Sequence, residues 1–154
     1  MEFDEDKVEE TEGDYVEIYS KRAIFWFSVF SFIYGGILLT INLRAAGYKK
    51  AVLQVAAFII SYYILSVLIV VALNIKVDMS AIKMLGTGVQ VPPQVLRSIL
   101  ILSAISIVIN IIGGLVLTQY FFKRYFPDND YYPKPVLQPI LIFILIYIAF
   151  RFII

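Results

Sequence analysis

The sequence predicts an all-α integral membrane fold, a four-helix bundle, and three observations carry that prediction. Of 154 residues, 60% are hydrophobic and 16% charged, against roughly 45–50% and 25% in a soluble domain. The apolar residues form four long runs rather than one- or two-residue alternations, so the surrounding solvent is lipid. Lys or Arg frames each run: Lys21-Arg22 and Arg44, Lys50 and Lys76, Arg97 and Lys123-Arg124, Lys134 and Arg151.

Residues 1–20 stand apart as an acidic tail, and residues 21–154 form the membrane domain. Nine of the twelve acids lie in the first 17 residues: Glu2, Asp4, Glu5, Asp6, Glu9, Glu10, Glu12, Asp14 and Glu17. Twelve of the thirteen Lys and Arg residues follow Tyr19, so a net charge of +1 conceals an acidic tail on a basic body. Such a segment buries too little apolar surface to offset its chain entropy, and disorder is expected. It serves either as a solubilising tail or as a docking strip for a basic partner.

The first span is expected over 23–41, whose 19 residues rise about 28 Å as a helix, close to the hydrocarbon thickness. Its acidic leader and the lack of a small-residue cleavage site distinguish it from a signal peptide. The second span covers 51–75 and the third 98–122. The fourth, 136–154, follows Pro135, which suits a first helical turn, while Pro139 removes a further backbone donor near its start; it ends near Arg151, which can snorkel to the headgroups. Between the second and third spans, Asp78 caps an interfacial helix over 78–85 that ends at Gly86, followed by a loop to Pro92-Pro93. Four crossings place both termini on one side. The Lys and Arg counts of the two faces, seven against six in that arrangement, leave the orientation open.

Two pairs of segments match. Gly35-Gly36-Ile37-Leu38-Leu39-Thr40 resembles Gly113-Gly114-Leu115-Val116-Leu117-Thr118, and Lys50-Ala51-Val52-Leu53-Gln54 resembles Lys134-Pro135-Val136-Leu137-Gln138. The matches describe two tandem helical hairpins in parallel repeat, or a chance likeness between apolar segments. In that reading Thr40 bonds Gln54 across one hairpin, and Thr118 or Gln119 bonds Gln138 across the other.

Small and weakly polar residues recur at helical spacing: Ser28, Ser31 and Gly35 with Gly36 in the first run, and Ser103, Ser106, Asn110 and Gly113 with Gly114 in the third. Such stripes let helix backbones approach and bond across the seam, so the first and third runs are expected to touch. Asn110 falls near the bilayer midplane and must face protein, water or a solute.

The chain has no Cys and no His, which excludes thiol, disulfide and imidazole chemistry. No run contains an acid, which disfavours proton-coupled transport. Asp128-Asn129-Asp130 reads as a turn before it reads as a weak calcium site. The expectation is therefore no catalytic centre, no metal, no cofactor and no nucleic-acid partner. Arg44, Lys49, Lys50, Lys123 and Arg124 are placed to hold anionic lipid headgroups.

Ile18-Tyr19-Ser20-Lys21-Arg22-Ala23-Ile24, with Gly35-Gly36, Asn42, Gly47 and Lys49-Lys50-Ala51, resembles the opening of small uncharacterised bacterial multi-span membrane proteins. The likeness covers residues 18–51. It implies a prokaryotic cell (inner) membrane location and assigns no activity. Together these readings anticipate a non-enzymatic accessory or structural subunit of a membrane assembly or homo-oligomer. The alternative is a small channel or carrier for an uncharged or weakly charged solute, using Asn110, Ser103, Ser106, Gln54 and Tyr62.

Overall fold

Ser20 starts the first helix by accepting the Ala23 N–H on its hydroxyl at 3.2 Å, and α1 runs Lys21–Phe30. The computed structural model describes residues 16–75, 92–127 and 131–153, with side chains through Ala149. Ten residues rise only about 15 Å, and the helix then stops. Ser31 is extended (φ −153°, ψ 105°). Its N–H donates to Phe27 O at 2.9 Å and its hydroxyl accepts the Tyr34 N–H at 3.4 Å, so one residue ends α1 and caps α2, Phe32–Ala45.

α2 folds back along α1. The Phe27 and Tyr34 rings pack at a tilt with centroids 5.3 Å apart, and a Cβ placed on Gly35 would overlap Ser28 Oγ and approach Ile24 O to 2.9 Å. At the open end, Asn42 Nδ2 donates to Tyr19 O at 2.7 Å while the Tyr19 N–H donates to Asn42 Oδ1 at 2.8 Å. Residues 19 and 42 are therefore neighbours. The single helix expected over 23–41 is instead two arms of a hairpin. Serine supplies local bonds that compete with the helix ladder, and glycine at position 35 lets the arms close.

A Schellman turn leads out of α2. Gly47 sits at φ 79°, Gly47 N–H donates to Arg44 O at 3.1 Å, and Tyr48 N–H to Leu43 O at 2.9 Å. Glycine adopts this left-handed conformation without steric cost. α3 follows over Lys49–Ala72, two residues ahead of the expected start.

The third run forms α4, Pro93–Tyr125, longer at both ends than the expected 98–122. Pro93 occupies the first helical position, where its missing N–H costs nothing. Val116–Phe122 winds as a π-helix. There Thr118 Oγ1 donates to Gly114 O at 2.7 Å, loading an acceptor of the regular ladder. α3 and α4 are both long and apolar enough to cross a membrane, each with a mean hydropathy of 2.6.

β1 (Glu17–Ile18) and β2 (Tyr132–Pro133) pair in parallel, and the Lys134 N–H extends the pairing to Ile18 O at 2.8 Å. This brings the chain before α1 and the chain before α5, Leu137–Ile153, to one end of the molecule. Tyr34 OH donates to Pro139 O at 2.6 Å, and Phe143 packs on Phe27 and Tyr34, seating α5 on the hairpin.

The core lies at that same end. Ile18, Ile24, Leu39, Leu43, Val55, Leu117 and Phe122 are fully buried there. The acidic residues 1–15, the interfacial helix of 78–85, the loop through residue 91 and the turn at 128–130 lie outside the described residues, as does the Arg151 side chain.

Candidate functional site

Ser28 is the hub of the small-residue seam. It is fully buried, donates its hydroxyl to Ile24 O at 2.7 Å, and lies between Gly35 of α2 and Gly114 of α4. A Cβ on Gly114 would come within 2.8 Å of Ser28 Cβ. One on Gly36 would meet Ile59 at 2.5 Å, and one on Gly113 would overlap the Phe32 ring and crowd Tyr62 at 2.8 Å. The four glycines thus let α1, α2, α3 and α4 converge, with α1 directly against α4.

The break at Ser31 leaves carbonyls at the end of α1 without their usual donors. Asn110 answers one of them: its Nδ2 donates to Val29 O at 3.3 Å. Arms of 10 and 14 residues reach about 15 and 21 Å, so this corner lies that far from the Tyr19–Asn42 end. A cavity of about 340 Å³ opens beside it. Ser31, Ser66, Ser106 and Asn110 contribute its polar lining, among apolar side chains of α2, α3 and α4. Ser66 Oγ donates to Tyr62 O at 2.7 Å, and Tyr62 OH donates to Ile109 O at 2.7 Å, tying α3 to α4 along one wall. Ser103 and Ser106 are exposed and line a neighbouring cleft of about 360 Å³ with Asn110, Val29 and Phe30.

The cross-hairpin bonds take other partners. Thr40 Oγ1 donates to Gly36 O at 2.9 Å, within its own helix, as Thr118 does to Gly114 O. Gln54 instead accepts from Tyr125 OH at 2.8 Å, and the exposed Gln138 is not reached by Thr118. A hydroxyl in an apolar helix finds its nearest acceptor one turn back. The matched segments share that Gly-to-Thr bond, yet one belongs to a folded-back pair of short helices and the other to a continuous long one. The described helices do not form two copies of one hairpin.

Arg44, Lys49, Lys50, Lys123 and Arg124 are exposed at the packed end, beside Lys21, Arg22 and Lys134. Arg124 lies 5.9 Å from the Tyr120 ring and 5.8 Å from the Tyr125 ring, and donates to Tyr120 OH at 3.0 Å. Lys21 Nζ donates to Gln119 Oε1 at 3.0 Å, and Lys134 lies over Tyr19 at 6.0 Å. Tyr48, Lys49, Lys50 and Tyr125 border a hollow of about 330 Å³ on this face.

Sequence reasoning missed the brace made by Asn42 and the contribution of Ser66. The signal for Asn42 is an amide at the end of an apolar run. Among the described residues no cluster of three or more His, Cys, Asp or Glu is placed to hold a metal. The chain matches no family model, and no curated protein or solved structure shows significant similarity to it.

Proposed function

We propose that this chain is a multi-pass membrane protein acting as a non-enzymatic accessory or structural subunit, in a larger assembly or with copies of itself. α3, α4 and α5 cross the bilayer, and the α1–α2 hairpin dips into it from the basic face. With the first run folded back, three crossings remain, and the termini lie on opposite sides. The basic face then carries Lys7, Lys21, Arg22, Arg44, Lys49, Lys50, Lys123, Arg124 and Lys134, against Lys76, Lys83, Arg97 and Arg151 opposite. That bias makes the basic face cytoplasmic. The likeness of residues 18–51 to bacterial multi-span proteins supports a prokaryotic cell membrane.

One observation carries the reading: the most apolar windows of α3 and α4 are only 6% and 11% buried within the molecule. Lipid or another protein must cover what remains. On α4 that surface includes the exposed Ser103 and Ser106 beside Asn110, groups that helices use to bond one another within a bilayer. Purification in mild detergent at native expression tests the proposal. A defined complex or homo-oligomer is expected, and a lone monomer with no co-purifying protein contradicts it.

The cavity at the Ser31 break favours a second reading, a carrier for an uncharged or weakly charged solute, because broken helices at middle depth are a recurrent way to line a transport site. Solute flux into liposomes holding only this protein, abolished by Asn110→Leu, would replace the first reading with this one.

A further inference from the structure

The basic face is short of negative charge. Lys21, Arg22, Arg44, Lys49, Lys50, Lys123, Arg124 and Lys134 meet at one end of the molecule, where Glu17 is the only carboxylate among the described residues. In sequence Asp128 and Asp130 fall between α4 and β2, and counting both still leaves cations in excess over acids. Several of these cations already lean on neutral partners, Gln119, Tyr120 and Tyr19, rather than on acids.

The chain itself supplies the missing charge. Residues 1–15 hold eight acids against Lys7, while the rest holds twelve cations against four acids. The acidic stretch joins the molecule at this very end, because β1 begins at Glu17 and is fixed to β2, and Tyr19 is fixed to Asn42. We infer that residues 2–14 dock on the basic face of their own chain, on the surface presented by Arg44, Lys49, Lys50, Lys123 and Arg124.

Magnitudes permit this. A tether of 13 residues has a root-mean-square reach of about 20 Å, comparable to the width of a few packed helices, so the tail is present at millimolar effective concentration. A single exposed ion pair contributes at most about 1 kcal/mol, but eight acids act together over one surface. Such docking is diffuse and salt-sensitive, and anionic headgroups compete for the same cations. The tail then tunes how strongly this face holds an acidic lipid surface, whichever proteins cover α3 and α4.

The full chain has no Cys, so a pair of introduced cysteines reports the docking directly. Spin labels at Thr11→Cys and Leu53→Cys, the latter 73% exposed in the first turns of α3, are measured in zwitterionic nanodiscs holding one chain each. A short-distance population is expected at low salt. It should be lost at about 1 M salt, where the Debye length falls to about 3 Å. It should also be lost when the five cations are replaced by Gln, and reduced when anionic lipid is added. A distance distribution unchanged by salt and by the five replacements would overturn the proposal. A short distance seen only when differently labelled chains share a disc would overturn it too, since the tail would then be reading a second copy. Circular dichroism of the Gln variant separates lost docking from lost folding. Should it unfold, the salt series on the unmodified face decides alone.

Discussion

The end of the molecule around Asn42 and the end around Phe30 draw on the same apolar residues, yet only the first is packed. Around Asn42, Leu39, Leu43, Val55, Leu117 and Phe122 are fully buried, and glycines bring backbones against side chains. Around Phe30, itself 70% exposed, α3 and α4 present Leu68, Val71, Leu100 and Val108 outward. The packed end is held by the β1–β2 pairing and by the Asn42 amide on the Tyr19 backbone, while the open end relies on Asn110, Tyr62 and a few ring contacts. Hydrophobic composition brings a segment into lipid, but close helix packing needs small residues and satisfied polar groups.

Four substitutions and one deletion probe this difference. Gly35→Leu should have the largest effect, because the new side chain meets Ser28 and the Ile24 carbonyl with no room to relax. Overpacking costs about 1–3 kcal/mol or more, and denaturation in detergent should show loss of the folded state. Leu100→Ala, at a position 61% exposed, should shift the same measurement by less than about 0.5 kcal/mol. If the two variants behave alike, the two ends do not differ in packing. Asn42→Leu comes next: it strips the buried partner from both Tyr19 N–H and Tyr19 O, at about 1–3 kcal/mol for each group left unmet.

Asn110→Leu removes the bond to Val29 O and should cost about 1 kcal/mol. Unchanged unfolding would show that α1 needs no donor at its break. Deleting residues 2–14 should change least, leaving detergent stability intact, since a stretch with eight acids and few apolar residues has little surface to contribute to a core. Loss of folding on deletion would give the tail a structural part that neither end of the molecule requires.

Much of the seam was legible in the sequence, because Ser28, Gly35, Gly113 and Gly114 recur at helical spacing and small size has one main use between helices. The contact between the first and third runs follows from the same pattern. The direction of the first run was not legible. Its 19 residues suit one crossing or two half-length arms equally, and hydropathy counts length without recording a reversal. Ser31 at the middle and Asn42 at the end were the available signals, each ambiguous until the other was placed. The pairing of Thr40 with Gln54 failed for a local reason: a threonine hydroxyl within a helix bonds its own carbonyls before it reaches across. The π-turn at Val116–Phe122 has no signal in the sequence beyond Thr118, whose bond to Gly114 O is one that any helical threonine can make. Gly35-Gly36, Asn42 and Gly47 close, brace and exit the hairpin.

The folded-back first run is the claim on which topology, orientation and the basic face all depend. Single cysteines at Glu17, Lys49 and Gln94, introduced one at a time into this cysteine-free chain, can be labelled by a membrane-impermeant reagent in sealed vesicles of known orientation. The account predicts that positions 17 and 49 react from one side and position 94 from the other. Reaction of 17 and 49 from opposite sides would mean that the segment between them crosses the bilayer, and the hairpin would be wrong.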